Sequence, residues 1–175
     1  MDRPPGVRGV RGGAVAISPD GSRLACVTRD KQARVLDLPH FRLRVLDLKT
    51  GKITMTTESS RTIGPNLSWS TNGRRIAFDM YPPSEWIGTE MRSIYVADLE
   101  TGKISQIGIG RSPSWSPSGE WIAYISYIEG SERHQDSNYY AGRYYAINDF
   151  QVSLMSPTGT HARILMGFHS DVDPT

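Results

Sequence analysis

The apolar and polar positions along this chain repeat in a fixed order. Residues 17–26, 69–78 and 115–124 align without gaps, and each segment places a polar turn containing Gly before a short apolar run. A second motif follows each segment, at residues 45–52, 96–103 and 154–160, and reads Asp-Leu-Glu-Thr-Gly-Lys in its most regular form. Two motifs that keep the same order through successive repeats indicate repeated structural units.

Both motifs have the composition of tight turns between β-strands. In the Pro-Asp-Gly turn of the first repeat, Pro presets φ, Asp tolerates the bend and Gly adopts positive φ without a clash. Apolar or alternating runs flank each turn, which predicts β-hairpins, and no segment has the sustained spacing of an amphipathic helix. Each repeat therefore predicts four short antiparallel strands, a to d. A sheet sandwich is the alternative, and it explains the strands but not the repeat.

The repeats resemble a known family. The segments Trp-Ser-Pro-Ser-Gly at 115–119 and Ile-Tyr-Val-Ala-Asp-Leu-Glu-Thr-Gly-Lys at 94–103 resemble TolB-like (WD40-like) β-propeller repeats and are similar to the propeller of prolyl-oligopeptidase-type proteins. The resemblance covers residues 13–175 and implies an all-β fold. It implies three four-stranded antiparallel blades, which would be half or a fragment of a ring of about six or more blades. The first repeat departs from the pattern with Ile17 in place of Trp, and the third with Ser156-Pro157 in place of Asp-Leu.

The motif positions predict the division of the chain. We expect an N-terminal tail at 1–12, then blades at 13–64, 65–110 and 111–170, the last with a long insertion at 126–151, and the start of a further blade at 171–175. Open terminal blades would leave apolar faces bare. We therefore expect self-association, for example as a homodimer that closes a six-bladed ring, or a fragment of a longer propeller; end blades that cap the array are a third alternative.

The long connections between strands b and c predict a binding surface. In a four-stranded blade the b–c and d–a connections emerge on one face, and long irregular connections there, at about 28–42, 79–92 and 126–151, commonly serve recognition. Tyr, Trp and Arg suit a protein or peptide partner. A mobile loop or extra strand ends are the structural alternative for the richest segment, 127–145. The candidate binding residues are Tyr81, Glu85, Trp86, Arg133, His134, Asn138, Tyr139, Tyr140, Arg143 and Tyr144.

Composition narrows the function classes. A net charge of +2 is too small to indicate a nucleic-acid partner, and no apolar run is long enough for membrane insertion. No apolar run follows Met1, so we expect no secretory signal in this chain, although the resemblance implies a periplasmic protein. The single cysteine, Cys26, lies in an apolar run and is expected to face the core.

Catalytic motifs are absent from the sequence. No nucleophile elbow, phosphate-binding loop or dinucleotide fingerprint occurs, and we expect neither a cofactor nor a metal. The predicted topology groups His134, His169, Asp171 and Asp173 on the loop face, but these residues lack metal-ligand spacing. His40 and His161 have no distinctive context. We expect a non-catalytic scaffold that binds a protein or peptide, as the resemblance to TolB implies. The alternative is the propeller domain of a larger enzyme, such as an oligopeptidase-like peptidase or a TolB-like sugar lyase.

Overall fold

Strands account for the regular structure of this chain. The computed structural model describes residues 13–35, 38–58, 63–80, 92–127, 134–135, 145–146 and 150–168, and no helix occurs among them. The strands are β1 (Val15–Ile17), β2 (Arg23–Val35), β3 (Leu38–Asp47), β4 (Ile53–Thr56), β5 (Ile63–Trp69), β6 (Arg75–Met80), β7 (Ser93–Asp98), β8 (Ile104–Ile109), β9 (Arg111–Trp115), β10 (Ile122–Tyr127), β11 (His134–Gln135), β12 (Tyr145–Ala146), β13 (Phe150–Met155) and β14 (Arg163–Phe168).

These strands form antiparallel meanders, each paired in chain order. The first sheet is β1-β2-β3-β4, the second is β5-β6-β7-β8 and the third is β9-β10-β13-β14, while β11 and β12 form a small separate pair. All described pairings within the four-stranded sheets are antiparallel. The all-β prediction with four antiparallel strands in a sheet is confirmed.

The turns have the predicted chemistry. Gly73 ends the turn between β5 and β6 at a φ of 65°, and its N–H donates to the Ser70 carbonyl at 2.8 Å. Asp47 begins the turn between β3 and β4, and one of its carboxylate oxygens accepts from both the backbone N–H and the hydroxyl of Thr50. Each hairpin is therefore closed by groups within its own motif, which is why the motif is regular.

The sheets pack face to face in chain order, and their two faces can be named. The leading face of a sheet points towards the next sheet in the chain, and the trailing face points towards the preceding one. A hydrophobic cluster joins the leading face of the first sheet to the trailing face of the second, and another joins the second sheet to the third. Between the first and second sheets, the leading face contributes Ala25, Val27, Leu43 and Val45, and the trailing face contributes Ile76, Phe78, Tyr95 and Ala97. Between the second and third sheets, the leading face contributes Ala77, Ile94 and Val96, and the trailing face contributes Ile122, Tyr124 and Met155.

The first strands of the sheets form the inner row of this stack. Strand β5 contacts both β1 and β9. Trp69 at the end of β5 donates its indole N–H to the Ala16 carbonyl of the first sheet at 3.1 Å, and the Arg23 guanidinium lies 5.3 Å from its ring centre. Trp115 packs on the cluster between the second and third sheets. Both Trp residues of the repeat therefore contribute to packing between sheets.

One predicted loop is wrong. The connection expected at 28–42 in the first repeat is instead mostly strand, because β2 continues to Val35 and β3 begins at Leu38. The sequence Arg-Val-Leu-Asp-Leu occurs at both 34–38 and 44–48, and the first four residues of the second copy end β3, directly before the Thr50-Gly51 turn. The hairpin extends although residues 28–34 are mostly polar.

Candidate functional site

A polar junction lies on the face where the b–c connections leave the sheets. Asp79 is at the end of β6, Arg92 stands directly before β7, and Ser112 is near the start of β9. Strand b ends, strand c begins and the next strand a begins at this same face, so the antiparallel topology brings the three residues together. We call this set, with Gly64 and Asn66 of β5, the loop-face junction.

Asp79 is the centre of the junction. Its side chain is only 1% exposed, and its carboxylate accepts from the Arg92 guanidinium at 2.7 Å and from the backbone N–H of Ser112 at 3.2 Å. Arg92 remains 24% exposed at the base of the 81–91 connection. One carboxylate thus ties the end of that connection to the inner strand of the third sheet. Because the carboxylate is buried, losing the Arg92 guanidinium would leave its negative charge with only the neutral Ser112 N–H of these two donors, which is costly in free energy.

The backbone leaves no spare room around Asp79. A Cβ added at Gly64 would overlap the Asp79 carboxylate, so only Gly permits this close approach. Ser112 adopts a φ of 56°, an uncommon left-handed conformation for a residue other than Gly. The Asn66 side-chain amide donates to the Ser112 hydroxyl at 3.0 Å. Strained backbone held in place by several contacts is typical of functional regions.

Strands β5 and β9 are also joined by a direct hydrogen bond away from the junction. The backbone N–H of Trp115 donates to the Ser68 hydroxyl at 2.8 Å. Asn66 and Ser114 are exposed on these strands, and Arg111 is exposed at the start of β9. These three exposed residues, which we call the inner-strand rim, present amide, hydroxyl and guanidinium groups on two strands joined by hydrogen bonds.

The first sheet has a different polar arrangement at the same face. Asp30, 8% exposed, accepts from Arg42 at 2.7 Å, and Arg42 also donates to the Thr57 carbonyl at 2.9 Å. The Thr57 hydroxyl in turn accepts from the backbone N–H of Leu43 at 3.1 Å. These bonds fasten β2, β3 and the segment after β4 to one another within the first sheet.

The opposite face carries the short turns and a shallow cavity of about 210 Å³ lined by Arg23, Arg74, Leu99 and Glu100. Arg23 donates to the Gly73 carbonyl at 2.7 Å, which joins the turns of adjacent sheets. Hydrogen bonds from Ser18 and then Ser22 lower the pKa of Asp20 to about 2.

Cys26, expected in the core, is half-buried on the trailing face of the first sheet, where burial raises the pKa of its thiol.

Most of the sequence-predicted binding residues fall outside the described residues, and their role stays a prediction. His134 is the exception, because it begins β11 and its backbone pairs with Ala146. His169, Asp171 and Asp173 also lie outside the described ranges. The others outside are Tyr81, Glu85, Trp86, Arg133, Asn138, Tyr139, Tyr140, Arg143 and Tyr144.

Sequence reasoning missed the junction itself. In the sequence, Asp79 and Arg92 stand out only as the limits of the 79–92 connection. The available signal was an acidic residue inside the apolar strand 76–80, since a carboxylate among buried positions requires donors nearby. Nothing in the sequence pattern indicated that Gly64, Asn66 or Ser112 would meet it.

The described part of the chain lacks a metal-binding cluster and a membrane-spanning helix. No group of three or more His, Cys, Asp or Glu side chains within it is arranged to hold a metal ion. It also contains no helix with the length and apolar character needed to cross a membrane.

Comparison with known proteins identifies the fold that this arrangement of sheets belongs to. No protein-family model matches the chain. The β-propeller domain of the Trilobed protease from Pyrococcus furiosus superposes with a TM-score of 0.54 at 14% identity, covering 89% of this chain and 42% of that one. The fold is a β-propeller. The four-stranded sheets are its blades, and the loop-face junction joins the second blade to the third.

Other propellers are similar to this chain. A putative TolB from Agrobacterium tumefaciens has a TM-score of 0.57 at 20% identity, over 87% of this chain and 48% of its own. The oligogalacturonate lyase of Dickeya dadantii (strain 3937) is 28% identical over 96 residues, which are 53% of this chain and 25% of the lyase. The chain thus spans about half of the TolB protein, and the match spans a quarter of the lyase. The predicted resemblance to TolB-like and peptidase propellers is confirmed at the level of the fold.

Proposed function

We propose that this chain is a non-catalytic propeller scaffold that binds a protein or peptide across its loop face. The partner would contact the connections at 81–91 and 128–149, which carry the predicted Tyr, Trp and Arg residues. Aromatic and Arg side chains contribute strongly to such interfaces because they bury a large area and retain polar groups. The inner-strand rim, with Asn66, Arg111 and Ser114, would supply additional hydrogen bonds.

The observation that carries this proposal is the fixed base of the 81–91 connection. Arg92, its C-terminal neighbour, is bonded to buried Asp79, and Asp79 is bonded to the next blade. A connection with an immobilised base loses less conformational freedom on binding, so more of the contact energy remains as affinity. Two strands of one blade can be connected without any contact to the next blade. A contact that fixes the loop base to the next blade would orient the loop for recognition.

A peptide library displayed on phage and selected on the immobilised 175-residue chain tests this function. We expect enriched sequences whose binding is lost when 81–91 is replaced by a Gly-Ser segment of equal length. Tyr81→Ala and Trp86→Ala should each weaken binding, whereas Lys52→Ala, in a turn on the opposite face, should not. Enrichment that survives the loop replacement would contradict the proposal, as would a failure to enrich any sequence.

A second candidate function follows from the match to a lyase. The chain would then be part of the propeller of a larger enzyme, either a sugar lyase or a peptidase with a propeller domain. The 28% identity over 96 residues to the oligogalacturonate lyase favours the sugar-processing version. Titration of the chain with galacturonate oligomers, followed by isothermal calorimetry, separates the candidates. Saturable binding that the 81–91 replacement leaves intact would favour the lyase-type function over peptide recognition.

A further inference from the structure

One of the short turns opposite the loop face contains a reactive pair of residues. The turn between β5 and β6 includes Asn72 followed by Gly73, and no other Asn in the sequence stands directly before Gly. The equivalent position is Asp20 in the first blade and Ser118 in the third. An Asn before Gly is prone to deamidation, because Gly has no side chain to hinder attack by its own backbone nitrogen.

Deamidation of such a pair requires only water. The deprotonated backbone nitrogen of Gly73 attacks the carboxamide carbon of Asn72, a new N–C bond closes a succinimide ring, and the bond to the side-chain nitrogen breaks with release of ammonia. Water then opens the ring at either carbonyl and leaves Asp or isoaspartate at position 72. The net reaction consumes one water and releases one ammonia, and no group is oxidised or reduced.

The turn exposes the carboxamide but withholds the attacking nitrogen. Asn72 is exposed, and its Oδ1 accepts from the Ser70 hydroxyl at 2.8 Å and from the backbone N–H of Arg74 at 3.1 Å, which polarises the carbonyl that would be attacked. The Gly73 N–H donates to the Ser70 carbonyl at 2.8 Å. The nitrogen must lose this proton before it attacks, so the hydrogen bond opposes the reaction as long as the turn stays closed.

Contacts from both neighbouring blades hold this turn closed. Arg23 of the first blade donates to the Gly73 carbonyl at 2.7 Å, and the Thr71 hydroxyl donates to the Pro117 carbonyl of the third blade at 2.8 Å. The equivalent turn of the first blade is less enclosed, since a Cβ added at Gly21 would meet nothing within 4 Å. Opening the turn of the second blade therefore requires the loss of bonds between blades.

We propose that Asn72 is a spontaneous deamidation site, and that the packing of the second blade between its neighbours restrains the reaction. The Asp product fits this turn, because Asp20 accepts the equivalent hydrogen bonds from Ser18 and Ser22 in the first blade. The isoaspartate product adds one carbon to the backbone and moves the carbonyl that the first blade holds, so it loosens the contact between these blades. The proposal does not depend on the proposed function.

Peptide mapping by mass spectrometry tests this site. The chain is incubated in mildly alkaline buffer, either folded or unfolded in guanidinium chloride, and is then digested at mildly acidic pH, which limits deamidation during digestion. We expect Asn72 to react in the unfolded chain and to react at least about tenfold more slowly in the folded chain, the factor that corresponds to one hydrogen bond. Asn66, which precedes Leu67, is the internal control and should react much more slowly than Asn72 in the unfolded chain.

Two outcomes of this measurement overturn the proposal. Equal rates in the folded and unfolded chain would show that the turn does not restrain the reaction. Failure of Asn72 to react faster than Asn66 in guanidinium chloride would show that it is not a deamidation site.

Variants measure the contribution of each neighbouring blade. Arg23→Ala removes the bond to Gly73 and should raise the rate in the folded chain by about tenfold. Thr71→Val keeps the shape without the hydroxyl and should raise it several-fold. Arg163→Ala is the matched control, because Arg163 lies 5.2 Å from the Trp121 ring centre in the third blade, and it should leave the rate unchanged.

Circular dichroism establishes that each variant is folded before its rate is compared. If Arg23→Ala does not fold, Thr71→Val decides the result, because it changes only an exposed hydroxyl. A rate equal to that of the wild type in the folded variants would mean that packing between blades does not hold the turn closed, and the proposal would be wrong.

Discussion

The first and second blades are built from the same repeat but differ in how much of each is covered. Strand β6 of the second blade has four consecutive buried residues, Ile76 to Asp79, because both of its faces pack on neighbouring blades. In the equivalent strand of the first blade, buried Ala25 and Val27 alternate with half-buried Cys26 and Thr28. Equivalent positions of the repeat therefore carry a large aromatic side chain where the preceding sheet packs on them, and a smaller or polar one where no described sheet does.

The largest test of this difference compares Phe78→Ala with Cys26→Ala, two changes at equivalent positions. Phe78 is completely buried and stacks on Tyr95, so its removal should lower the free energy of unfolding by about 3–5 kcal/mol. Cys26→Ala removes one half-buried atom and should cost less than about 1 kcal/mol. Urea unfolding followed by fluorescence gives both values. Similar losses for the two variants would mean that the two trailing faces are covered alike.

The next test compares two buried carboxylates, Asp79 and Asp30. Asp79→Ala should lower the free energy of unfolding by about 2–3 kcal/mol, because Arg92 and the Ser112 N–H both lose their buried acceptor. Asp30→Ala should cost about 1 kcal/mol, because its partner Arg42 is 32% exposed and still bonds to Thr57. Chemical unfolding of both variants checks the order. A larger loss for Asp30→Ala would show that the junction does not depend on Asp79.

A smaller effect separates contacts between blades from contacts within one blade. Trp69→Phe removes the bond to the Ala16 carbonyl and should cost about 1 kcal/mol, with faster amide hydrogen exchange in the first blade. Trp115→Phe removes a bond to Gly119 of its own turn at 3.2 Å and should leave exchange in the first blade unchanged. Residue-resolved exchange distinguishes the two; unaltered first-blade protection in Trp69→Phe would contradict the inter-blade role.

The smallest effect concerns the turns, where Asp20 of the first blade corresponds to Asn72 of the second. Hydrogen bonds from Ser18 and Ser22 lower the pKa of Asp20 to about 2 from an ordinary value of 3.8. Because the folded state lowers the pKa, the stabilisation is present above the ordinary value and is lost as the pH falls towards 2. Asp20→Asn should therefore reduce stability at pH 5 but have a diminishing effect between pH 4 and 2. A constant difference between variant and wild type across this range would exclude the carboxylate as the cause.

Local sequence determined the strands and turns of this protein. Each Gly-containing turn is closed by bonds to residues within two to five positions, so its chemistry is readable in the motif itself. The repeat then indicated four-stranded sheets of propeller type. The extended hairpin of β2 and β3 was not predicted. Residues 28–34 are mostly polar and lack the alternation of apolar and polar positions that indicates a strand.

Only the tertiary structure decided which residues meet across blades. Asp79 and Ser112 are far apart in the sequence, and their contact depends on how the second blade stacks on the third. The bond from the Trp69 indole to the Ala16 carbonyl likewise depends on how the second blade packs on the first. The physical reason is the same in both cases: a turn is stabilised by its neighbours in the chain, whereas a polar group between sheets is stabilised by whatever the packing places beside it.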